Sequence, residues 1–119
     1  MKIILFGIPN CNTVKKTIDW FNTKEISFEF HNFKKDGITK SRLKDWTNQT
    51  QWENLVNKKS ATWRNLDQSE KDNLKNANTA IELLSIYPTL IKRPVITQDG
   101  KIKSIGFDEA ILNQIFLAP

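Results

Sequence analysis

The period of hydrophobic and polar positions changes along the chain, and the changes mark its elements. Ile3-Ile4-Leu5-Phe6 is a short, unbroken, partly β-branched apolar run, which predicts a buried strand over 2–6. Gly7-Ile8-Pro9-Asn10 reads as a turn. Asn10 is a good N-cap, so a helix is expected from Cys11 to about Asn22. Val14, Ile18 and Phe21 fall at i, i+4 and i+7, one core-facing stripe. From Ile26 to Phe30, apolar Ile26, Phe28 and Phe30 alternate with Ser27 and Glu29, the signature of a half-buried strand. Residues 3–30 therefore predict a β-α-β unit whose strands are parallel through a right-handed crossover.

Lys34-Lys35-Asp36-Gly37 reads as a loop. Thr39 follows as an N-cap, with Ile38 before it and Leu43 after it at the spacing of a hydrophobic staple, and Trp46 shares the Leu43 face. The middle of the chain continues helical and polar. Trp52, Leu55 and Val56 make a short apolar stripe. Asp67-Gln68-Ser69-Glu70 resembles a capping box, and Ala80–Tyr87 is a further helix ended by Pro88.

The period then switches to two. Pro94-Val95-Ile96-Thr97 is strand-like, Asp99-Gly100 signals a hairpin, and Lys101–Ile105 is the partner strand. Asp108 caps a last helix with Ile111, Leu112, Ile115 and Phe116 as its expected core stripe. A β-α-β unit followed by β-β-α is the thioredoxin-like order. The expected fold is thus α/β, one thioredoxin-like domain over 1–119. It has a mixed four-stranded sheet and a helical insertion at about 38–88.

At 119 residues and 39% apolar, the chain can bury a core without disulfides or a structural metal. The net charge of +5 comes from scattered lysines, and no basic run exceeds the pairs at 15–16, 34–35 and 58–59. That pattern suits a solvated surface and small anions better than a nucleic-acid footprint. No run approaches the roughly 20 apolar residues of a membrane span. The four-residue N-terminal run is too short for a secretory signal, so a cytoplasmic location is expected.

The chain has one cysteine and one histidine, too few soft ligands for a zinc site and too few thiols for an internal disulfide. Any second sulfur must come from another molecule. At a helix start, Cys11 lies near first-turn N–H groups of Asn12, Thr13 and Val14, which have no intrahelical acceptor. The helix dipole adds positive potential there. Both favour thiolate, and the same geometry binds oxyanions; Lys15, one turn on, adds charge.

There are three arginines among many lysines: Arg42, Arg64 in Thr62-Trp63-Arg64, and Arg93 in Lys92-Arg93-Pro94. A guanidinium holds a planar oxyanion through two parallel hydrogen bonds, which an ammonium cannot copy. His31 and the four tryptophans read as strand-end and packing residues.

These residues resemble a known family. Gly7-Ile8-Pro9-Asn10-Cys11-Asn12-Thr13, Phe33-Lys34-Lys35-Asp36-Gly37, Thr62-Trp63-Arg64, Leu90-Ile91-Lys92-Arg93-Pro94-Val95 and Ile105-Gly106-Phe107-Asp108 occur in the order found in the arsenate reductase (ArsC)/Spx family. The likeness is greatest to its YffB-type, ArsC-like thiol reductase branch. The resemblance implies a catalytic Cys11 and anion-binding Arg64 and Arg93, with Asn12, Thr13 and Lys15 beside them. It also implies a cis Pro94 next to the cysteine. No cofactor is implied; glutathione or glutaredoxin would be the co-substrate, and a small oxyanion or a disulfide the substrate.

Two departures shape this reading. Where glutathione-coupled arsenate reductases carry a further arginine after the Arg-Pro hairpin, this chain has Lys101-Ile102-Lys103-Ser104. Thiol reductase chemistry is therefore expected without arsenate as its assured substrate. Spx-type regulators often carry Cys-x-x-Cys, but position 14 here is valine. A Spx-like protein that binds RNA polymerase, and a relative of the fold without activity, remain the alternative readings.

Overall fold

The structure is a computed structural model and describes residues 1–117. Strand β1 (Ile3–Gly7) leads to helix α1 (Asn12–Thr23) and strand β2 (Glu29–Asn32). Helices α2 (Phe33–Asp36), α3 (Lys40–Gln49), α4 (Ala61–Asn65), α5 (Gln68–Asp72) and α6 (Ala77–Ile86) follow, with 3-10 turns at Trp52–Leu55 and Pro88–Leu90. Strands β3 (Val95–Gln98) and β4 (Lys101–Ile105) and helix α7 (Glu109–Phe116) close the chain. The strands form a mixed sheet in the order β2-β1-β3-β4, with β1 parallel to β2 and antiparallel to β3. This is the thioredoxin-like arrangement.

The chain divides into two compact units. One comprises Met1–Asn32 and the chain from Arg93 onward; the other is Phe33–Lys92. In the first, β1 is central, and its apolar run is unbroken because both of its faces are covered. Ile3, Leu5, Ile96, Trp20, Phe21 and Leu112 form a buried cluster where α1 and α7 lie on the sheet. Phe116 extends it, with ring centroids 5.2 Å from Phe21 and 6.2 Å from Trp20. Phe6, Val95 and Thr97, on the opposite face of the sheet, are buried too.

In the second unit, Leu43, Trp46, Leu83 and Leu84 are buried where α3 packs with α6, and Lys40 pairs with Glu82 at 2.9 Å. The Thr39 cap (accepting from Arg42 N–H at 3.1 Å) and the Asp67/Glu70 capping box form as the sequence suggests.

Several boundaries differ from the sequence reading. Residues 33–36 are a helical turn, not a loop, closed by Gly37 at φ +64°. α6 begins at Ala77 because Asn76 and Thr79 make a second capping box. The second strand begins at Glu29 rather than Ile26. Ile26 N–H is already bonded to Phe21 O at 3.0 Å, and Glu25 N–H to Asn22 O at 3.1 Å. Those two bonds make a Schellman stop for α1, with Glu25 at φ 57° in the position usually held by glycine. Pairing with β1 therefore starts at Ile4↔Glu29, while Ile26 and Phe28 pack against the core from outside the strand.

The helix stripes also shift. α1 buries Val14, Thr17, Trp20 and Phe21, with Ile18 at the margin. Thr17 fits a buried site because its hydroxyl donates to Thr13 O at 2.8 Å. α7 is eight residues long and buries Leu112 fully, whereas Ile111 is 43% exposed, being a third of a turn outside that narrow stripe. The hairpin is as expected, with Asp99 at φ 52° and Gly100 at φ 84°, and β4 spans Lys101–Ile105.

Candidate functional site

The register between β1 and β3 builds the site. Phe6 pairs with Val95 in antiparallel sense, so the residues entering β3, Arg93 and Pro94, lie beside the end of β1. The turn carrying Cys11 departs from that same end. Pro94 is buried, and the Arg93–Pro94 peptide is cis. A proline costs no ladder hydrogen bond just before the strand. Its carbonyl accepts from Gly106 N–H at 2.8 Å, tying the strand entry to the residue after β4.

Cys11 is itself the N-cap of α1, which corrects the expectation that Asn10 would cap and Cys11 would be helical. Its backbone is extended (φ −145°, ψ 123°), and its carbonyl accepts the first helical bond, from Lys15 N–H at 2.9 Å. Asn10 is exposed and sits in the turn. At the N-cap a serine or aspartate oxygen would accept from the N2 and N3 amides, here Thr13 and Val14.

The thiol makes no capping hydrogen bond of standard geometry. Its charge state still responds to the surroundings. Burial pushes the Cys11 thiol up. The Val14 N–H, the hydrogen bond and charge of the Arg93 guanidinium, and the Thr13 N–H together outweigh that, leaving the pKa below that of an ordinary cysteine. Cys11 is partly exposed.

The other expected site residues separate. Asn12 and Lys15 are exposed on the first turn of α1. The cation acting on the sulfur is Arg93, not the sequence neighbour Lys15. Arg64 lies in the second unit, on α4, where Ser60 caps the helix. Its Nη1 donates to Lys59 O at 2.9 Å, which orients the guanidinium. Trp63 carries Lys58 Nζ at 5.3 Å and Lys71 Nζ at 5.6 Å from its ring centroid, a cation–π role rather than a base-stacking platform. His31 lies within β2, its ring centroid 4.9 Å from that of Phe6. Val14 was expected both on the core stripe and as a first-turn donor near the sulfur; its side chain is buried, and its amide acts on the sulfur.

Comparison with known proteins bears on this arrangement. The ArsC family profile matches residues 6–115. An uncharacterized protein of Haemophilus influenzae is 46% identical over 107 residues, covering 90% of this chain and 92% of that one. The global transcriptional regulator Spx of Streptococcus agalactiae is 31% identical over 109 residues, 90% of this chain and 77% of that protein. Among solved structures, the YffB protein superposes with a TM-score of 0.88 at 32% identity, covering 95% of this chain and 97% of that one. With the profile running from β1 into α7, the chain belongs to the ArsC family.

Proposed function

We propose that this protein is a single-cysteine thiol reductase that depends on an external thiol, glutathione or a glutaredoxin, to complete its cycle. The observation that carries the reading is the pairing of Cys11, at the cap of α1, with the Arg93 guanidinium. A thiolate is the nucleophile in sulfur exchange, and an arginine beside it attracts an anionic partner.

Acting on a disulfide, the Cys11 thiolate attacks one sulfur. A new S–S bond forms, and the other sulfur leaves as thiolate. Acting on an oxyanion centre, the thiolate displaces one oxygen, which leaves as water after protonation. The external thiol then attacks the Cys11 sulfur, giving a mixed disulfide, and the centre departs reduced by two electrons. A second external thiol releases the Cys11 thiolate and carries away the disulfide. Arg93 holds the anionic group, assisted by Asn12, Thr13 and Lys15. Cys11 is the only cysteine in the sequence, so it cannot resolve its own adduct. A cycle of this kind suits a reducing compartment such as the cytoplasm.

The test measures glutathione-dependent reduction of a mixed disulfide and of arsenate by wild type and Cys11→Ser, together with alkylation rate against pH. The expected result is turnover abolished by Cys11→Ser and an alkylation midpoint below that of a free thiol, about 8.5. Turnover unchanged in Cys11→Ser, or a midpoint at the free value, would overturn the mechanism.

The Spx relative favours a second reading, a regulator that binds RNA polymerase. Val14 at the fourth position removes a Cys-x-x-Cys switch from it. Retention of the polymerase α subunit at low salt by a protein without reductase turnover would favour this reading over the first.

A further inference from the structure

We propose that Gly7 is a positioning residue for Cys11: the missing β-carbon at the end of β1 lets the Val14 side chain seat there, which fixes the first turn of α1 and its N3 amide against the cysteine. This rests on the reading of Cys11 as the reactive thiol.

The argument is steric. Only residues 8–11 separate β1 from α1, so the first turn of the helix must fold back over the strand end. A β-carbon at Gly7 would lie 2.7 Å from Val14 Cγ2 and 3.5 Å from Cγ1. Carbon atoms in contact stand about 3.5–4.0 Å apart, so roughly an ångström must be found. Rotation of Val14 cannot supply it, because the side chain is fully buried and β-branched, with its χ1 largely fixed. Gly7 is held in turn by pairing with Asn32 in β2. The element left to move is the first turn of α1. Moving it draws the Val14 N–H, the N3 donor opposite an N-cap sulfur, away from Cys11. Gly7 shows no positive φ, so its requirement is for space and not for backbone freedom.

The closing experiment compares iodoacetamide alkylation of Cys11 in wild type, Gly7→Ala, Val14→Ala and the double variant, with thermal melts of each. At a pH below the wild-type midpoint, Gly7→Ala is expected to react roughly three- to tenfold more slowly, from a weakened attraction between the Val14 N–H and the thiolate. Its pH midpoint moves up. The double variant removes the offending Cγ2 methyl and leaves the Val14 β-carbon 3.7 Å from the new one, an ordinary contact, so its rate and midpoint return toward wild type.

A folded Gly7→Ala protein with the wild-type alkylation profile overturns the proposal. So does a double variant that stays as slow as Gly7→Ala. A Gly7→Ala protein without a cooperative melt assigns the contact to folding alone and also overturns the positioning role. Failure of the underlying reading looks different, because wild type itself then alkylates as a free thiol.

Discussion

Replacing Arg93 separates the charge acting on Cys11 from the hydrogen bond. Arg93 acts on the sulfur in both ways, as donor and as cation, while burial of the thiol works against ionisation. A hydrogen bond to a charged group is worth about 1.5–3 kcal/mol. Both Cys11 and Arg93 keep part of their surface in solvent, which screens the charge and argues for the lower end of that range. Arg93→Gln removes the charge and retains a shorter donor. Losing about 1.5 kcal/mol of thiolate stabilisation reduces the thiolate population about tenfold at any pH below the midpoint. Arg93→Lys keeps the charge without the planar fork, and an intermediate loss is expected. The assay is alkylation rate against pH, or thiolate absorbance near 240 nm, in the three proteins. Arg93→Gln with a wild-type profile would refute the argument, since the amides of Val14 and Thr13 would then suffice alone.

Two further predictions follow from local geometry. The folded-state pKa of Cys11 is depressed, so its contribution to stability is fully present above the unfolded-state pKa and is lost as pH falls through the folded-state value. The melting temperature of wild type relative to Cys11→Ser should therefore rise between those two values with increasing pH, and Arg93→Gln should flatten that rise; a difference independent of pH contradicts the assignment. Glu25 occupies the left-handed position of the α1 Schellman stop at φ 57°, where a side chain costs about 1 kcal/mol. Glu25→Gly should then raise stability by up to about that amount in urea titrations, and a loss of stability would show that its side chain contributes more than its backbone strain costs.

What could be read from the sequence is what local chemistry decides. The Thr39 cap, the Asp67/Glu70 box, the Asp99-Gly100 turn and the Asp108 cap each involve groups within a few residues of one another, and each forms. The unbroken run in β1 signalled burial because a central strand has no solvent face. Cys11 was legible as a helix-start thiol, although the cap is the cysteine itself rather than Asn10. Cap preference favours Asn10, and only the extended backbone at Cys11 shows that the helix starts one residue later.

Tertiary structure decided the rest. Local spacing put only Lys15 near the sulfur, and Arg93 was expected at the site from the family resemblance alone; the sheet brings Arg93 there through the antiparallel register of Phe6 with Val95. Register between distant strands is set by which faces must be buried together, and that cannot be read from either strand alone. Ile26 and Phe28 alternate like a strand, yet the end of α1 claims the Ile26 amide first. Ile111 fits the helical period, yet α7 buries a stripe too narrow to include it. Gly7 looked like part of a turn. Its reason is the Val14 methyl that occupies the space where its side chain would be, a contact that exists only once the helix has folded back on the strand.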